Sequence, residues 1–511
     1  MFRRVGMRAL RGHAVFGVVL LAGTALRVAA MIGYRGALWF PDSRSYVRYA
    51  VHLEPSVARP QGYAFFLRAL EPFHDLGAVV AVQHLMGLAV GVGVYAVARR
   101  YGLPGWGAAL AAAPVLLDAY EIQLEHVLLS DTLFLFLVAA AVLVLLWRPR
   151  SAGAAVVAGL LVGAATVTRS VGLPLLAVVV AYLLVRWWRG AYGPRARGWR
   201  PIVAVGLAGA VPVVAYGMWF QATWGSFELT RSGGVFLYSR TTTFVDCARV
   251  RMPAPESALC PAEPLGARYP APSYIWHEGA LGRLPGGYDA KFTPANSRTA
   301  AAFARRAILG QPGAYLGASL TDLGRTFAWT RTDYPRAYDT AHYEFPDAAQ
   351  VTYPGASGGP LVALSAGRGT RNAVAAYAHG DGRPVVVEPA AGFLRAYQAV
   401  AYVRGPMFAV LLLGAPLMAL VRRVRRRGVR GEARGGWALA WVVGAVLVAV
   451  PPFTAAFDYR YVLPAVPLVC VGLAVACGRR AVVAEEPVDV PEVAASEVAD
   501  APVEESAAPV A

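Results

Sequence analysis

Long apolar runs recur along this chain, and no other feature restricts its fold so strongly. An apolar run of about 18 residues or more matches the hydrocarbon core of a bilayer when it forms a helix. Apolar residues make up 57% of the 511 residues, charged residues only 15%, and the mean hydropathy is +0.46. The sequence therefore predicts an all-α polytopic membrane protein with about ten spans, at roughly 13–33, 77–98, 104–118, 128–147, 152–168, 171–188, 201–220, 398–421, 437–455 and 461–478.

The basic residues indicate which side of the membrane each loop faces. A net charge of +17 also occurs in nucleic-acid-binding proteins, but here the arginines stand at the ends of apolar runs, as the positive-inside rule requires. The basic N-terminus and the arginine-rich loops at 186–200 and 422–434 are therefore expected in the cytoplasm. The first run is followed by loop residues and not by a cleavage site, so it is predicted to be a retained span. We expect a multi-pass protein of the plasma membrane without a nucleic-acid partner.

Polar stretches between the runs divide the chain into regions. A transmembrane catalytic module is expected at 1–220, with an outer loop at 34–76, here called loop one. An extracytoplasmic domain of α or α/β fold, here called the outer domain, is expected at 221–397. C-terminal spans follow at 398–480 and a disordered acidic tail at 481–511. Within the outer domain, 296–327 has apolar residues on one side and arginines on the other, which predicts a helix lying along the membrane surface.

Loop one carries the most informative acid of the chain. Asp42 follows Pro41 at the outer end of the first span, where a carboxylate can take a proton from an incoming hydroxyl group. Two structural roles remain open for it, a helix cap or an ion pair with Arg44. Loop one also holds Arg59, and arginines outside the membrane go against the positive-inside rule. They indicate either an anionic ligand or ion pairs with Glu54, Glu71 and Asp75.

Two further arginines lie next to predicted spans. Arg169 stands in the short turn between two of them, and a bidentate guanidinium there suits a phosphate at the depth of the lipid headgroups. An ordinary interfacial arginine that snorkels is the alternative. For Arg460, in the stretch FDYRYVLP, the same two roles are open: a phosphate ligand or an ordinary interfacial arginine. Asp458 is its nearest neutralising acid.

Acids and a histidine surround the outer start of the fourth span. Carboxylates and imidazole are ligands for divalent cations, but these four residues lack the tight spacing of a metal motif, so no cofactor is expected. A divalent cation remains the alternative. The residues are Glu121, Glu125, His126 and Asp131.

Four cysteines are present, and two of them lie in the outer domain. Cys247 and Cys260 are close in sequence, and an extracytoplasmic location allows a disulfide between them. Two free thiols are the alternative. Cys470 and Cys477 lie in the last apolar run and are expected to be packing residues.

Several motifs together resemble one known group of enzymes. In order, the chain contains PDSRSY, RPQGYAFFLRAL, LLSDTLFLFLVAA, TRSVGLPLL, FARRAILGQPGAYL and FDYRYVLPAVPL. These stretches, in this order, resemble those of integral-membrane glycosyltransferases of the GT-C fold, a group that includes the protein mannosyltransferases and the aminoarabinose transferases of lipid A. The resemblance covers nearly the whole chain except the acidic tail and most of 221–395.

The resemblance implies a GT-C-like fold, a polyprenyl-phosphate-linked sugar as donor and a catalytic acid in loop one. By position that acid is Asp42, with Asp131 and Glu125 as acidic support. The sequence departs from the pattern twice: Ser43 stands where the group often has a second acid, and Asp131 stands where many members have Glu. The arginines expected around the donor phosphate are Arg169, Arg460, Arg59 and Arg44.

The expected reaction is an inverting displacement at the extracytoplasmic face, with an envelope protein, glycan or lipid as acceptor. A lipid or glycan transporter or flippase is the alternative from a different class. That alternative needs charges deep within the spans, and only Arg27 approaches this. An inactive envelope scaffold is the third alternative, which the missing acid at Ser43 keeps open.

Overall fold

The computed structural model describes residues 2–190, 198–276, 279–352, 368–425 and 435–479, which are mostly helical. Helices of the first half are α1 Phe2–Gly33, α2 Ser43–Val51, α3 Gly62–Leu70, α4 Leu76–Arg100, α5 Gly105–Leu117, α6 Ala119–Glu125, α7 Ser130–Trp147, α8 Ala152–Thr168, α9 Gly172–Trp188 and α10 Arg200–Trp224. The predicted acidic tail at 481–511 lies outside the described residues.

The second half contains shorter helices before the last spans. They are α11 Gly233–Thr242, α12 Ser273–Trp276, α13 Pro294–Gly310, α14 Pro312–Arg325, α15 Ala337–Ala341, α16 Ala348–Thr352, α17 Arg368–Ala378, α18 Ala390–Val400, α19 Gly405–Arg425, α20 Gly436–Thr454 and α21 Val466–Cys477. Short 3-10 turns occur at Glu71–Phe73, Glu256–Leu259, Ala280–Arg283, Tyr288–Ala290, Tyr459–Tyr461 and Leu463–Ala465. The two strands are β1 Tyr34–Arg35 and β2 Val385–Val386.

Seven helical segments of the described chain are long and apolar enough to cross a membrane. They are His13–Gly33, Leu76–Arg100, Ser130–Trp147, Arg200–Trp224, Gly405–Val424, Gly436–Thr454 and Tyr459–Cys477. Three shorter apolar helices, α5, α8 and α9, fall on the other three predicted runs. The all-α polytopic architecture is therefore confirmed, whereas length and composition alone support seven spans and not the predicted ten.

The strand pair restricts how many helices cross. Tyr34 pairs with Val386 and Arg35 with Val385, so the end of α1 and residues 385–386 lie on the same side of the membrane. Only three of the seven long spans, α4, α7 and α10, intervene between the two strands. Three crossings would put the strands on opposite sides. An odd number of the shorter helices must therefore cross as well, and ten spans satisfy this condition.

Two predicted helix boundaries are wrong. The eighth span was predicted to begin at 398, but α18 ends at Val400 and the spanning helix α19 begins only at Gly405. Pro406 follows at once, and proline favours the first turn of a helix because its missing N–H needs no partner there. Residues 401–404 are therefore a break between two helices.

The predicted surface helix at 296–327 is two helices. α13 ends at Gly310 and α14 begins at Pro312. A proline inside one continuous helix would lack an N–H and clash with the preceding turn, so the helix ends before it. Both helices have the predicted apolar side, since Leu309 of α13 and Leu316 and Leu320 of α14 are exposed. Arg305 and Arg306, on the arginine side of this segment, are also exposed.

Three large hydrophobic clusters organise the packing of the described residues, and a small fourth one consists of Val167, Tyr216 and Phe220. The largest lies among the apolar helices α4, α5, α7, α8, α9, α20 and α21. A second cluster joins the end of α1, loop one and α6 to outer-domain side chains such as Tyr343, Phe345 and Tyr377. A third cluster fills the outer domain around α11 and α13, next to the disulfide between Cys247 and Cys260. The second cluster holds loop one between the bundle and the outer domain.

Candidate active site

Loop one is fixed against the start of α7. The backbone N–H of Leu38 donates to the carbonyl of His126 (3.0 Å), and that of Leu128 donates to the carbonyl of Leu38 (3.0 Å). Ser43 is fully buried, and its hydroxyl donates to the carbonyl of Leu128 (2.7 Å) while it accepts from the N–H of Phe40 (2.8 Å). Ser43, which stands where the GT-C pattern often has a second acid, therefore joins loop one to the residues before α7 by hydrogen bonds.

Asp42 has ion-pair partners from two distant parts of the chain. It precedes α2 but makes no capping hydrogen bond with its side chain. Its Oδ1 lies 2.8 Å from Nη2 of Arg59, and its Oδ2 lies 3.9 Å from Nη1 of Arg460. Arg44 lies beside Tyr338 instead, and burial lowers its pKa. Neither of the two structural alternatives for Asp42, a helix cap or a pair with Arg44, matches this geometry.

Six charged side chains meet at this place, and we call them the charged cluster. Asp131 contacts Arg169, and its Oδ2 lies 3.7 Å from Nη1 of Arg460. Nε of Arg460 lies 3.1 Å from Oδ2 of Asp458. The members of the cluster are Asp42, Asp131, Asp458, Arg59, Arg169 and Arg460. Three carboxylates therefore balance three guanidinium groups.

Local structure brings each charge to this point. Asp131 is in the first turn of α7, where a negative charge is favoured by the helix dipole. Arg169 follows the last residue of α8, and its extended backbone (φ −146°, ψ 132°) starts the turn into α9. Asp458 caps the turn Tyr459–Tyr461, because its Oδ1 accepts from the backbone N–H of Arg460 (3.2 Å). Helix ends and turns thus hold these charges, as expected for functional residues placed by a rigid scaffold.

Aromatic rings pack on the guanidinium groups. Arg460 lies over Phe40 (4.5 Å to the ring centroid) and Tyr461 (5.1 Å), and Arg169 lies over the same Tyr461 (5.0 Å). In contacts of this kind, the face of the ring attracts the guanidinium group and keeps water away from one side of it. The hydroxyl of Tyr343 donates to Oδ2 of Asp458 (2.7 Å), so the outer domain also contributes to the cluster.

The candidate base Asp42 and the supporting acid Asp131 differ in the exposure of their side chains. The side chain of Asp131 is 1% exposed and that of Asp42 is 12% exposed. A small polar group of a substrate can therefore reach Asp42 from outside but not Asp131. Arg59 and Arg169, with side chains 23% and 18% exposed, are also partly accessible.

The structure brings together five of the residues singled out in the sequence, namely Asp42, Arg59, Asp131, Arg169 and Arg460. It places Glu125 elsewhere, in a buried pair with Arg27 and His84. Arg44 also lies apart from the described ion pairs of the cluster. The roles of these residues as base, phosphate ligands and acidic support stay predictions.

The four residues considered for a cation do not converge. Glu125 pairs with Arg27, Asp131 contacts Arg169, and His126 binds the carbonyl of Tyr34 through Nε2 (2.9 Å). Glu121 is buried, and burial raises its pKa well above the usual value, followed by the charge of Glu125. In the described part of the chain, no group of three or more His, Cys, Asp or Glu side chains is placed to hold a metal ion.

Sequence reasoning missed the contribution of the outer domain. Asp458 was readable as a partner of Arg460, because it stands two residues before it. Tyr343 and its neighbour His342 belong to a segment that is far from every other site residue in sequence and carries no motif. Only the tertiary contacts show that this segment reaches the charged cluster.

Comparison with known proteins gives structural likeness only. No protein-family model and no curated protein matches the sequence. The S. cerevisiae protein O-mannosyltransferase Pmt1-Pmt2 complex bound to the sugar donor is similar over 46% of this chain and 36% of that chain (16% identity, TM-score 0.33). The apo Archaeoglobus fulgidus oligosaccharyltransferase is similar over 90% of this chain and 50% of that chain (12% identity, TM-score 0.43).

Both names denote enzymes that transfer sugars. The enzymes that the sequence motifs resemble also transfer sugars. A second structure of the archaeal enzyme, AglB in complex with an inhibitory peptide and a dolichol-phosphate, has a TM-score of 0.41 to this chain. This chain spans half the length of the archaeal chain and about a third of the yeast chain. At these identities and TM-scores, the likeness assigns no role to any residue described above.

Proposed function

We propose that this chain is a membrane glycosyltransferase that moves a sugar from a polyprenyl-phosphate donor to an acceptor hydroxyl group. The observation that carries the proposal is the accessible carboxylate of Asp42 within a cluster of arginines at the ends of spanning helices. A lipid-linked phosphate lies at this depth of a bilayer. Neighbouring arginines are suited to bind it, since a guanidinium matches phosphate geometry.

The chemistry follows from these groups. Asp42 accepts the proton of the acceptor hydroxyl, whose oxygen attacks the anomeric carbon of the donor sugar from the face opposite the phosphate. The bond between that carbon and the phosphate oxygen breaks, and the configuration inverts. Positive charge held around the leaving phosphate stabilises the transition state, which is the largest contribution in many enzymes. Arg169 and Arg460 are the groups we assign to this role.

The formal charge of the cluster indicates which ion pairs the donor phosphate would replace. The cluster is formally neutral, so a phosphate enters by replacing contacts that already exist. The contacts of Arg460 with Asp42 (3.9 Å) and Asp131 (3.7 Å) are longer than a hydrogen bond and are therefore the weakest to replace. Arg460 can turn toward a phosphate while its Nε keeps the bond to Asp458.

The transporter alternative rests on Arg27, which lies within a span and is buried. Its Nε and Nη2 bind Glu125, and its Nη1 binds the carbonyls of Gly23 (3.1 Å) and Leu116 (2.9 Å). A guanidinium bound through all three nitrogens is a structural group and not a free site for cargo. Sugar transfer is therefore the function that the described charges favour.

Asp42→Asn tests the proposal most directly. The variant keeps the shape of the side chain but cannot take a proton, and loss of a general base lowers a rate by about 10²–10⁴-fold. The assay uses reconstituted protein, radiolabelled polyprenyl-phosphate sugars and envelope extracts as acceptors. Asp381→Asn is the matched control, because this acid is exposed and pairs only near the surface with Arg383. Equal transfer by Asp42→Asn and wild type would show that the base lies elsewhere.

Arg169→Ala tests the assignment of the phosphate. We expect a higher KM for the donor together with a lower kcat, because the guanidinium contacts the phosphate both before and during the reaction. Arg169→Lys keeps the charge but not the bidentate geometry and should fall between the two. An unchanged donor KM in both variants would remove Arg169 from the phosphate site.

The orientation of the site is also part of the proposal. We infer that loop one and the outer domain face the outside of the plasma membrane. Single cysteines introduced at the exposed positions Glu54 and Asp381 should react with a membrane-impermeant reagent in intact cells. Protection of both positions would invert the topology and place the site in the cytoplasm.

A further inference from the structure

Tyr461 contacts both of the arginines that we assign to the leaving phosphate. It is the last residue of the turn Tyr459–Tyr461, and it is half-buried. The guanidinium of Arg169 lies 5.0 Å from the centroid of its ring, and that of Arg460 lies 5.1 Å from the same centroid. Arg169 follows α8 and Arg460 precedes α21, so groups from two distant parts of the chain meet at this ring.

The ring of Tyr461 opposes the repulsion between these two arginines. Like charges repel each other, most strongly where water is scarce. The face of an aromatic ring attracts a cation, so one ring in contact with both groups offsets part of their repulsion. Asp131 also contacts both arginines, but its side chain is only 1% exposed. Tyr461 is therefore the more accessible of these two shared partners.

The hydroxyl group of Tyr461 has a proton that it can donate to a ligand. Nη2 of Arg460 lies 3.4 Å from the hydroxyl oxygen, and a guanidinium can only donate, so this oxygen accepts. In the described part of the chain, the hydroxyl proton itself has no hydrogen-bond acceptor. Tyr343 differs, because its hydroxyl donates to Oδ2 of Asp458 (2.7 Å). Of these two tyrosines at the charged cluster, only Tyr461 has its donor unused.

We propose that the hydroxyl group of Tyr461 donates a hydrogen bond to the phosphate of the lipid-linked donor, beside Arg169 and Arg460, and that its ring keeps these two arginines together. This inference rests on the proposed sugar transfer, because it names a further ligand of the same phosphate. Since Arg460 already reaches the hydroxyl oxygen, a phosphate oxygen bound by this guanidinium can also accept from the hydroxyl. The contact adds a donor without adding a charge, and the proton stays on the tyrosine.

The hydrogen bond from Tyr461 should become stronger as the reaction proceeds. The donor phosphodiester carries one negative charge and the leaving phosphate carries two, so negative charge builds up on the phosphate oxygens. Hydrogen bonds to charged acceptors are stronger than those to neutral ones, and a donor that is already in place stabilises the developing charge. Tyr461 should therefore contribute to kcat as well as to donor binding.

Tyr461→Phe tests the hydroxyl alone, because the ring that contacts the two arginines remains. We expect kcat/KM for the donor to fall by about 10–100-fold, the size expected for one hydrogen bond to a charged group. The affinity for radiolabelled polyprenyl phosphate without a sugar should fall by about 10-fold. Tyr269→Phe is the matched control, since this tyrosine of the outer domain is 59% exposed. Thermal unfolding shows whether each variant is folded.

Tyr461→Leu tests the ring. This variant loses both the hydroxyl and the aromatic face, so Arg169 and Arg460 are no longer held beside each other. We expect a larger loss of affinity for polyprenyl phosphate than in Tyr461→Phe. Equal affinities of the two folded variants would show that the ring does not position the arginines, and would overturn that part of the proposal.

Binding of polyprenol, which has the lipid chain but no phosphate, distinguishes a phosphate contact from a general disturbance of the site. Tyr461→Phe should leave the affinity for polyprenol unchanged. Equal weakening for polyprenol and polyprenyl phosphate, or an unchanged affinity for polyprenyl phosphate, would overturn the role of the hydroxyl. Wild-type protein that binds polyprenyl phosphate but transfers no sugar would instead overturn the proposed function, while the affinities for the two lipids still decide whether Tyr461 contacts the phosphate.

Discussion

The charged cluster around Asp42 and a second group around Glu125 are both built from buried arginines and carboxylates, yet their contacts differ. In the second group, here called the closed network, Nε and Nη2 of Arg27 bind the two oxygens of Glu125 at 2.7 Å and 2.6 Å. In the charged cluster, Arg460 reaches Asp42 and Asp131 only at 3.9 Å and 3.7 Å. Short bidentate contacts hold a structure, whereas long contacts leave room for a ligand.

The closed network continues through two histidines. Nδ1 of His84 lies 2.7 Å from Oε2 of Glu125, and Nε2 of His84 lies 3.1 Å from Nδ1 of His126. Nε2 of His126 lies 2.9 Å from the carbonyl oxygen of Tyr34, so it donates there. The network thus links α1, α4 and the end of α6 to the first residue of β1. It fixes the frame from which loop one departs.

Hydrogen-bond counting places one additional proton in this network. Burial lowers the pKa of His126 to about 3, so His126 is neutral and its Nδ1 accepts from His84. Nδ1 of His84 then faces a carboxylate oxygen, and two lone pairs cannot form a hydrogen bond. One proton must lie between His84 and Glu125, as an imidazolium or as a carboxylic acid. Every ring nitrogen of His84 and His126 therefore has a hydrogen-bond partner. In the described part of the chain, Nε2 of His342 has none.

This difference teaches where to look for function among buried charges. A buried ionisable residue in a membrane protein is a functional candidate by default. Here, Arg27 and Glu125 have complete sets of partners and no exposed surface. Asp42 and Arg460 each have one short contact, with Arg59 and Asp458 respectively, but only a long one with each other, and both are partly exposed. Burial alone does not separate the two groups, but the completeness of their hydrogen bonding does.

The largest expected difference between the two groups is in stability. Glu125→Gln leaves the buried guanidinium of Arg27 without its counter-charge, and breaking a buried pair in this way costs about 3–5 kcal/mol. Asp42→Asn should cost less, because the amide oxygen that remains can still accept from Arg59 and the side chain is partly exposed. Thermal unfolding in detergent measures both. A more stable Glu125→Gln than Asp42→Asn would reverse the assignment of structural and functional group.

Alanine in place of a glycine next to each group should have an effect of intermediate size, and the effect should differ between the two groups. A Cβ at Gly87 would lie 1.7 Å from Oε1 of Glu125, and one at Gly62 would lie 2.6 Å from Oγ1 of Thr168 and 2.7 Å from the carbonyl of Val167. Such overpacking costs about 1–3 kcal/mol. Gly87→Ala should lower the melting temperature and leave the pH optimum of transfer unchanged.

Gly62→Ala should act on transfer more than on stability, because Thr168 precedes Arg169 and its displacement moves that guanidinium. Donor KM for the two alanine variants provides the measurement, and Gly313→Ala is the control, since its added Cβ meets no atom within 4 Å. A donor KM that rises in Gly87→Ala but not in Gly62→Ala would contradict the separation of the two groups.

The smallest effect, counted per pH unit, is the dependence of stability on pH. His126 and His342 have pKa values near 3 and 4 in the folded protein because both are buried, against about 6.5 in an unfolded chain. The unfolded chain therefore binds protons first as the pH falls below about 6.5, and folding weakens by about 1 kcal/mol per pH unit for each histidine. No such loss is expected above that pH.

Melting temperatures between pH 7.5 and 5 measure this slope. His342→Asn and His126→Asn should each remove about half of it, because each deletes one of the two groups. A slope that neither substitution changes would mean that other residues titrate on unfolding.

Much of the fold was readable from the sequence, since apolar runs in a bilayer allow few structures other than helices. Eight of the ten predicted runs begin within a few residues of the first residue of an observed helix or turn, for example 77–98 against Leu76–Arg100 and 152–168 against Ala152–Thr168. The errors lie at Gly405 and Pro312, where a break within a largely helical pattern depends on one proline. Periodicity averages over several residues and does not register such a break.

The site was readable only in part. Asp42, Asp131, Arg169 and Arg460 stood out because each is a charged residue at the expected outer end of an apolar run. The sequence also offered Glu125 on the same grounds, and nothing in its local pattern distinguished it from Asp131, six residues away. Their partners decide the difference: Arg27 for Glu125, and Arg169 with Arg460 for Asp131.

By itself, the sequence determined that this chain is a bundle of membrane helices with polar loops at their ends. Hydrophobic runs and flanking arginines act locally, and each can be read without knowing what it packs against. Tertiary structure alone decided which charges meet, and that His342 and Tyr343 of the outer domain reach the same place as Asp42. Pairing between segments hundreds of residues apart depends on the packing of every helix between them, and this information is not carried by any single stretch of the chain.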